Sequence, residues 1–401
     1  MENKESDVLK FDPLSGKRIL FFIPEGNVIT NGLYISQVLG LIRYCVSLGM
    51  RCMVFQSYEQ AQADQYELEH GIQVVSDRCH YDYVPFVFQT WLYRRMARRF
   101  YSTLKAFRPT HIYTRQYLSC RAARELADCT GAKLVMSRRG AEVAERLLAG
   151  RFKDKVASLY MRWAVAQAVK CCDHINTVAR FWAERTRADY GCDASVLPCC
   201  VQDYAFKPQP VEWILAKRRD MGFAADAKVV CYSGGVSSWQ RIDEVLELLV
   251  TLHRMDSSLR FLVLSRDIDQ MRQKCSTVGI PEAVLHMRSC PHREVSDYLQ
   301  VADCGIILRA DNVVNRAASP IKIGEYLAAG LGVVFQPWIG DAGRLLQGRP
   351  FACQYTQPAD ADAVLKFIHG QDGQTKDAAR AFARCHYSYA GNREAVMQMF
   401  A

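Results

Sequence analysis

Long apolar runs are missing from this sequence, and none approaches the roughly 20 residues that a membrane-spanning helix needs. The first residues, MENKESDVLKFDPLSGKR, are polar and charged, so residues 1–17 read as a short lead-in and not as a secretory signal. Cysteine pairs at CxxC spacing are missing as well. The 16 cysteines are scattered, none forms a CxxC, and Cys-His neighbourhoods such as Cys171-Cys172-Asp173-His174 and Cys290-Pro291-His292 lack a second ligand pair at zinc spacing. Free, mostly buried thiols in a reducing cytoplasm are therefore expected. No GxGxxG follows the first strand-like run and no GxxxxGK[ST] occurs, which removes dinucleotide-dependent dehydrogenases and P-loop enzymes. GxSxG is also absent, against an α/β-hydrolase.

What is present is the balance of a globular protein. Half of the 401 residues are hydrophobic and 23% are charged, a length and composition that suit two domains. The net charge of +9 is uneven, with much of it in residues 91–108, WLYRRMARRFYSTLKAFR. On a helix, Leu92, Met96, Phe100, Leu104 and Phe107 line one face, while Arg94, Arg95, Arg98, Arg99 and Lys105 spread over the rest. Two readings stay open: a domain helix with a solvated basic side, or a contact with an anionic membrane surface from the cytoplasmic side. No nucleic-acid recognition motif accompanies the charge, so no such partner is expected.

The chain alternates. Residues 18–24 (RILFFIP) read as a buried parallel strand, 33–48 as a helix and 51–56 as a strand, a βαβ beginning. Further strands are expected at 73–76, 111–114, 133–137, 174–178 and 195–198, with helices near 89–107, 118–130, 152–172 and 179–190. Pro198, Pro208 and Pro210 punctuate a linker near 199–209. The alternation then restarts, with strands at 229–233, 260–265, 284–287, 304–308 and 332–336 and helices at 241–255, 292–302 and 320–329. A last helix is expected near 375–400. The fold class is α/β: two doubly wound halves, 1–200 and 201–401, with a ligand cleft at the carboxyl ends of their strands.

The segment Ser319-Pro320-Ile321-Lys322-Ile323-Gly324-Glu325-Tyr326-Leu327-Ala328-Ala329-Gly330 carries the strongest local signal. Ser followed by Pro starts a helix, with Ser319 at the N-cap and Pro320 at the first turn, and Gly330 stops it about three turns later. Its N-terminus offers unpaired N–H groups and a positive dipole end to a phosphate, and Lys322 adds a formal charge. Glu325, one turn on, suits a ribose diol from an accessible surface.

This stretch, with GLGVVFQP after it, resembles the donor-site signature of family-4 glycosyltransferases of the GT-B type, in the bacterial surface-polysaccharide branch with an SPxKxxEYLAxG pattern. The family's first Glu falls on Ala317, and Glu325 matches the second. The same resemblance places Arg309 at the end of the upstream strand and Asn315 before the Ser-Pro. Tyr232-Ser233-Gly234-Gly235-Val236 is similar to the glycine loop that meets the diphosphate, with Gly235 and Gln240 where the family has Arg and Lys. Arg241, Lys322 and Arg309 would replace that clamp. Glu25 through Gly32 resembles the facing glycine loop, and Ser137-Arg138-Arg139-Gly140-Ala141-Glu142 a strand-end stretch on the acceptor side.

The resemblance implies two Rossmann-like domains with a final helix crossing back, and sugar transfer with retention, without a metal or cofactor. The donor would be a nucleotide diphosphate sugar, and the acceptor a glycan or lipid-linked acceptor in polysaccharide or glycoconjugate synthesis. Lys322, Arg309 and Arg139 are then the catalytic candidates. Glu325, Ser319, Pro320, Ile321, Gly234, Gly235, Arg241, Asn315 and Gly32 are the donor-binding candidates. Two alternatives remain: a nucleotide-sugar 2-epimerase of the same fold, or a non-catalytic partner subunit that binds a nucleotide or glycan.

Overall fold

The computed structural model describes residues 14–26, 28, 34–57, 72–77, 86–140, 144, 152–236 and 240–401. The chain forms two parallel sheets. The first has seven strands: β1 (Arg18–Ile23), β2 (Arg51–Gln56), β3 (Gln73–Ser76), β4 (His111–Thr114), β5 (Lys133–Arg138), β6 (His174–Thr177) and β7 (Ser195–Val196). Their spatial order is β3-β2-β1-β4-β5-β6-β7. The second has six: β8 (Val229–Ser233), β9 (Arg260–Leu264), β10 (Leu285–Arg288), β11 (Cys304–Ile307), β12 (Gly332–Phe335) and β13 (Ala352–Gln354), ordered β10-β9-β8-β11-β12-β13.

Each half therefore starts at its central strand, winds outward on one side, and returns to the other. The reversal opens a crevice at the carboxyl ends of β1 and β4 in one sheet and of β8 and β11 in the other. These strands can sit in the middle because both of their faces are apolar. Leu20, Phe22 and Ile112 pack against Leu104 and Leu126 on one side, and Phe21 and Tyr113 against Leu41 and Ile42 on the other. Burying one such side chain fully contributes roughly 1.5–3 kcal/mol.

The segment expected as a linker is not a solvated tether. Cys199, Cys200 and Val201 are buried, and the Val201 N–H donates to the Tyr387 carbonyl at 2.8 Å. Gln202, also buried, donates Nε2 to the carbonyls of Ile35 and Ser36, both at 3.2 Å. The final helix is two helices. The first, Gly373–Tyr387, starts with a capping box at Asp372 and Thr375 and stays on the second half, burying Ala379, Phe382 and Ala383. The second, Arg393–Met399, crosses back and buries Val396, Met399 and Phe400 in the core of the first half. Between them Gly391 passes so close to the carbonyls of Arg384 and Cys385 that a Cβ would clash.

Residues 91–108 are also interrupted. One helix, Phe86–Arg99, ends at Phe100 and a second, Tyr101–Ala106, follows, with Leu92, Met96 and Leu104 buried. The basic side is partly neutralised, since Arg94 and Arg98 pair with Glu125 and Arg99 with Asp77. The described cysteines are all free, and only Cys129 and Cys385 among them are exposed. Among the described residues no helix is long and apolar enough to cross a membrane.

Candidate functional site

The helix Ile321–Ala329 is the centre of the second half's crevice. Seven of its nine residues are buried, and Gly330 ends it at φ 86°, a left-handed conformation that glycine adopts without a Cβ penalty. Tyr326 anchors it: the ring is fully buried, and its hydroxyl accepts the Ser233 N–H at 2.8 Å. That bond ties the helix to the carboxyl end of β8, where Gly234 and Gly235 follow. The start differs from the sequence expectation by one residue. Pro320 is the N-cap and Ser319 lies before it, where its hydroxyl accepts the Cys199 N–H at 2.9 Å. Ser319 thus fastens the helix start to the crossing segment, and the first N–H groups of the helix keep no side-chain cap.

Lys322 points back over the glycine loop. Its Nζ donates to Gln240 Oε1 at 2.7 Å and lies 5.6 Å from the centre of the Tyr232 ring. A Cβ on Gly234 would collide with that amine, so only glycine lets the lysine reach this place. Burial, with the nearby Arg309 charge, lowers the Lys322 pKa to about 7, against an opposing pull from Glu325. Gln240, which stands where the resemblance expects a lysine, is thus the acceptor that orients Lys322.

Glu325 is not on an accessible surface. It is buried, and its Oε1 lies 3.3 Å from His292 Nε2, while His292 Nδ1 lies 3.1 Å from the Tyr204 hydroxyl. Arg241 is also placed otherwise than expected. It adopts φ 45°, and its Nε pairs with Glu244 at 2.6 Å, so it is held away from the clamp. Gly32, like Ala141 and Glu142, lies outside the described residues.

A cavity of about 390 Å³ lies between the two halves. Its second-half wall is built from Arg309, Asn315, Ala318, Ser319 and Pro320, and its first-half wall from Glu25, Tyr34, Gln37, Arg115 and Arg139. Each charged group sits just past the carboxyl end of a strand: Glu25 after β1, Arg115 after β4, Arg139 after β5 and Arg309 after β11. Arg309 is fixed through its backbone, donating its N–H to Gln336 Oε1 at 2.5 Å and accepting Trp338 Nε1 at 2.7 Å. Burial lowers its pKa, and no described residue pairs with its guanidinium. Asn315 is buried and donates Nδ2 to the Ala310 carbonyl at 2.9 Å.

Of the expected residues, the cavity brings together Arg139, Arg309, Asn315, Ser319 and Pro320. Lys322, Gly234 and Gly235 lie beside it on the β8 side, and Ile321 packs between the cores of the two halves. Arg115 and His292 went unnoticed as site residues. Arg115 had a signal, since a lone basic residue directly after an apolar strand occupies the position where such folds bind ligands. An Asp-x-Asp, Asp267-Ile268-Asp269, follows β9, and Asp267 Oδ2 accepts the Val236 N–H at 3.2 Å. Among the described residues no three His, Cys, Asp or Glu converge as metal ligands.

Residues 36–203 match the family model described as Glycosyltransferase Family 4. No curated protein matches the chain by sequence. Among solved structures, a glycosyltransferase from Rickettsia africae superposes with a TM-score of 0.68 at 13% identity, covering 96% of this chain and 98% of its own. Alr3699/HepE from Anabaena, in complex with UDP and glucose, gives 0.67 at 14% identity, covering 95% and 99%. The sucrose-phosphate synthase of Thermosynechococcus elongatus gives 0.65 at 12% identity, covering 96% and 97%. The chain thus has the GT-B fold of two facing Rossmann-like domains, and its first half carries the match to Glycosyltransferase Family 4.

Proposed function

We propose that the protein transfers a sugar from a nucleotide diphosphate sugar to an acceptor hydroxyl. One observation carries the reading: Lys322, the open N-terminus of the helix Ile321–Ala329 and the Gly234–Gly235 turn meet at the crevice of the second sheet. That is a phosphate site built from backbone N–H groups, a dipole and a half-buried amine. A similar fold in Alr3699/HepE holds UDP and glucose, which supports the same class of donor here.

In this reading the bond from the anomeric carbon to the diphosphate breaks and a bond to the acceptor oxygen forms. The acceptor's proton passes to the departing diphosphate on the same face, giving retention. Charge growing on the diphosphate is met by Lys322 and Arg309, half-buried groups already in place. A thermal-shift screen with UDP, ADP and their glucose conjugates tests it, because a ligand that binds only the folded chain must raise its stability. A stabilising nucleotide sugar, consumed with acceptor in the presence of EDTA, is the expected result. Absence of any nucleotide effect would remove the donor site, and release of free epimerised sugar without acceptor would replace transfer by epimerisation.

Glu325 orients the nucleotide through the ribose, with His292 holding its carboxylate and Tyr204 holding the His292 ring. Glu325→Ala is expected to weaken nucleotide binding about ten-fold or more, since a hydrogen bond to a charged group contributes roughly 1.5–3 kcal/mol. Calorimetry on a variant with an unchanged circular dichroism spectrum checks this, and wild-type affinity would take Glu325 out of the site.

The acceptor is a glycan or a lipid-linked sugar in polysaccharide or glycoconjugate synthesis, reached from the cytoplasmic face of a membrane. Phe88, Trp91, Leu159 and Trp163 are large exposed side chains on two helices of the first half, and Trp91 and Trp163 flank one groove. Arg95 lies over the Trp91 ring at 5.6 Å. With three of the arginines already paired, the aromatic groups anchor the contact and the unpaired cations add about 1 kcal/mol each near an anionic surface. Co-sedimentation should favour anionic over neutral vesicles, weaken with salt, and fall in Trp91→Ala/Trp163→Ala. Equal binding to both vesicle types would leave only a solvated face.

A further inference from the structure

The first-half wall of the central cavity holds two half-buried cations, each with at least one buried nitrogen that no partner satisfies. Arg115 donates Nη2 to Gln37 Oε1 at 2.6 Å and stacks over the Tyr34 ring at 4.7 Å, but its Nε and Nη1 are buried without a partner. Arg139 donates Nε to Ser137 Oγ at 3.1 Å and reaches the Tyr113 hydroxyl at 3.5 Å, while its Nη1 is buried and unpaired. Glu25 lines the same cavity, yet both its carboxylate oxygens are buried and bonded to neither arginine. An unpaired buried donor is costly, and two neighbouring guanidiniums that face only one carboxylate, hydrogen-bonded to neither, add to that cost. A fold keeps such a pair where a ligand completes it.

The donor diphosphate does not need them. Its charge is answered on the opposite wall by Lys322, Arg309 and the helix N-terminus. The cavity therefore presents cations on two faces, and one anion is accounted for on one face only.

We propose that Arg115 and Arg139 bind an anionic group of the acceptor, a carboxylate or phosphate carried by the molecule that receives the sugar. The forked donors of two guanidiniums suit the paired oxygens of either group. The inference rests on the glycosyltransferase reading, because it assigns this wall to the acceptor only once the facing wall holds the donor.

The test separates the two. Protein saturated with UDP is titrated with inorganic phosphate, glucose 6-phosphate, glucuronate and glucose, with thermal shift and calorimetry as readouts. The three anions should stabilise the UDP-bound protein and neutral glucose should not. A stronger effect of glucose 6-phosphate than of glucuronate assigns a phosphorylated acceptor, and the reverse a uronic acid. Arg115→Gln and Arg139→Gln should each weaken anion binding about ten-fold or more, as expected for loss of a charged hydrogen bond, while UDP affinity changes far less. Arg139→Lys keeps the charge and should retain part of the effect, which guards against a glutamine variant that folds poorly. Equal losses of UDP and phosphate would place the arginines on the donor diphosphate and overturn the proposal. So would phosphate binding that is unchanged in the variants. Failure of UDP to bind at all would instead remove the glycosyltransferase reading, and phosphate binding alone would then report on the arginine pair.

Discussion

Replacing Lys322 with alanine is expected to lower kcat about a hundred-fold or more while raising the donor KM much less. The amine is placed before any ligand arrives, by Gln240 Oε1 at 2.7 Å and by the missing Cβ of Gly234. A group already in position acts most strongly on charge that appears in the transition state. Lys322→Arg should rescue only in part, because a planar fork does not replace the compact ammonium placed between Gly234, Gln240 and Tyr232. A pH dependence follows from the lowered pKa of about 7. In the free protein the amine is half neutral near that pH, and a bound diphosphate favours the ammonium, so binding takes up a proton. Donor affinity should therefore fall as pH rises above about 7, by up to about ten-fold per unit. The sign for stability is consistent: a depressed folded-state pKa costs stability at low pH, and the cost fades as pH rises from about 7 towards 10.5. Calorimetry in buffers of different ionisation heat measures the proton uptake, and Lys322→Gln should abolish it. A fully active Lys322→Ala enzyme would pass the diphosphate to Arg309 and the backbone.

Much of this architecture is written locally. The central strands were legible because parallel strands buried on both faces are short, continuous apolar runs between turn residues, as in RILFFI and VVCYS. Strand β13 escaped because Ala352–Gln354 is a three-residue edge with no apolar run to mark it. The helix Ile268–Val278 escaped because only Met271 and Cys275 are buried, which leaves no stripe. The helix Val211–Asp220 was hidden by Pro208 and Pro210, read as linker, although Pro210 is its N-cap.

The site divides the same way. The resemblance to the family's motifs singles out Arg139 and Arg309 in sequence, and the winding of the sheets puts both at strand ends. Which site residues pair off could not be read there, because pairing is a long-range outcome. Glu325 meets His292 from a different helix, Arg241 turns to Glu244 through an unusual left-handed backbone, and Ser319 spends its hydroxyl on Cys199 across the domain boundary.

Asp303→Ala should cost about 3–5 kcal/mol of stability, the range for removing one partner of a buried ion pair. Asp303 lies at the turn into β11 and is 5% exposed, and Arg218 is 7% exposed. Its Oδ2 accepts Arg218 Nη2 and the Val229 N–H, both at 3.0 Å, and its Oδ1 accepts Lys376 Nζ at 2.8 Å. One carboxylate thus joins β8, β11 and the helix Gly373–Tyr387. Arg218 is committed to the same place by bonds to the carbonyls of Val301, Ala225 and Ala227 at 2.8–3.0 Å, so it cannot turn to water when its partner is lost. Burial alone would raise the Asp303 pKa, but Lys376 and Arg218 outweigh it and hold the carboxyl below 3.8. For a depressed folded-state pKa the stabilisation is present above 3.8 and is lost as pH falls through the native value. Urea unfolding should therefore show a large gap between wild type and variant at neutral pH that narrows in acid. Because β8 leads into Gly234 and β11 into Arg309, nucleotide binding should weaken with the same variant even under conditions where the chain stays folded. A stability loss below about 1 kcal/mol at neutral pH, the scale of an exposed pair, would mean that water reaches Arg218 after all.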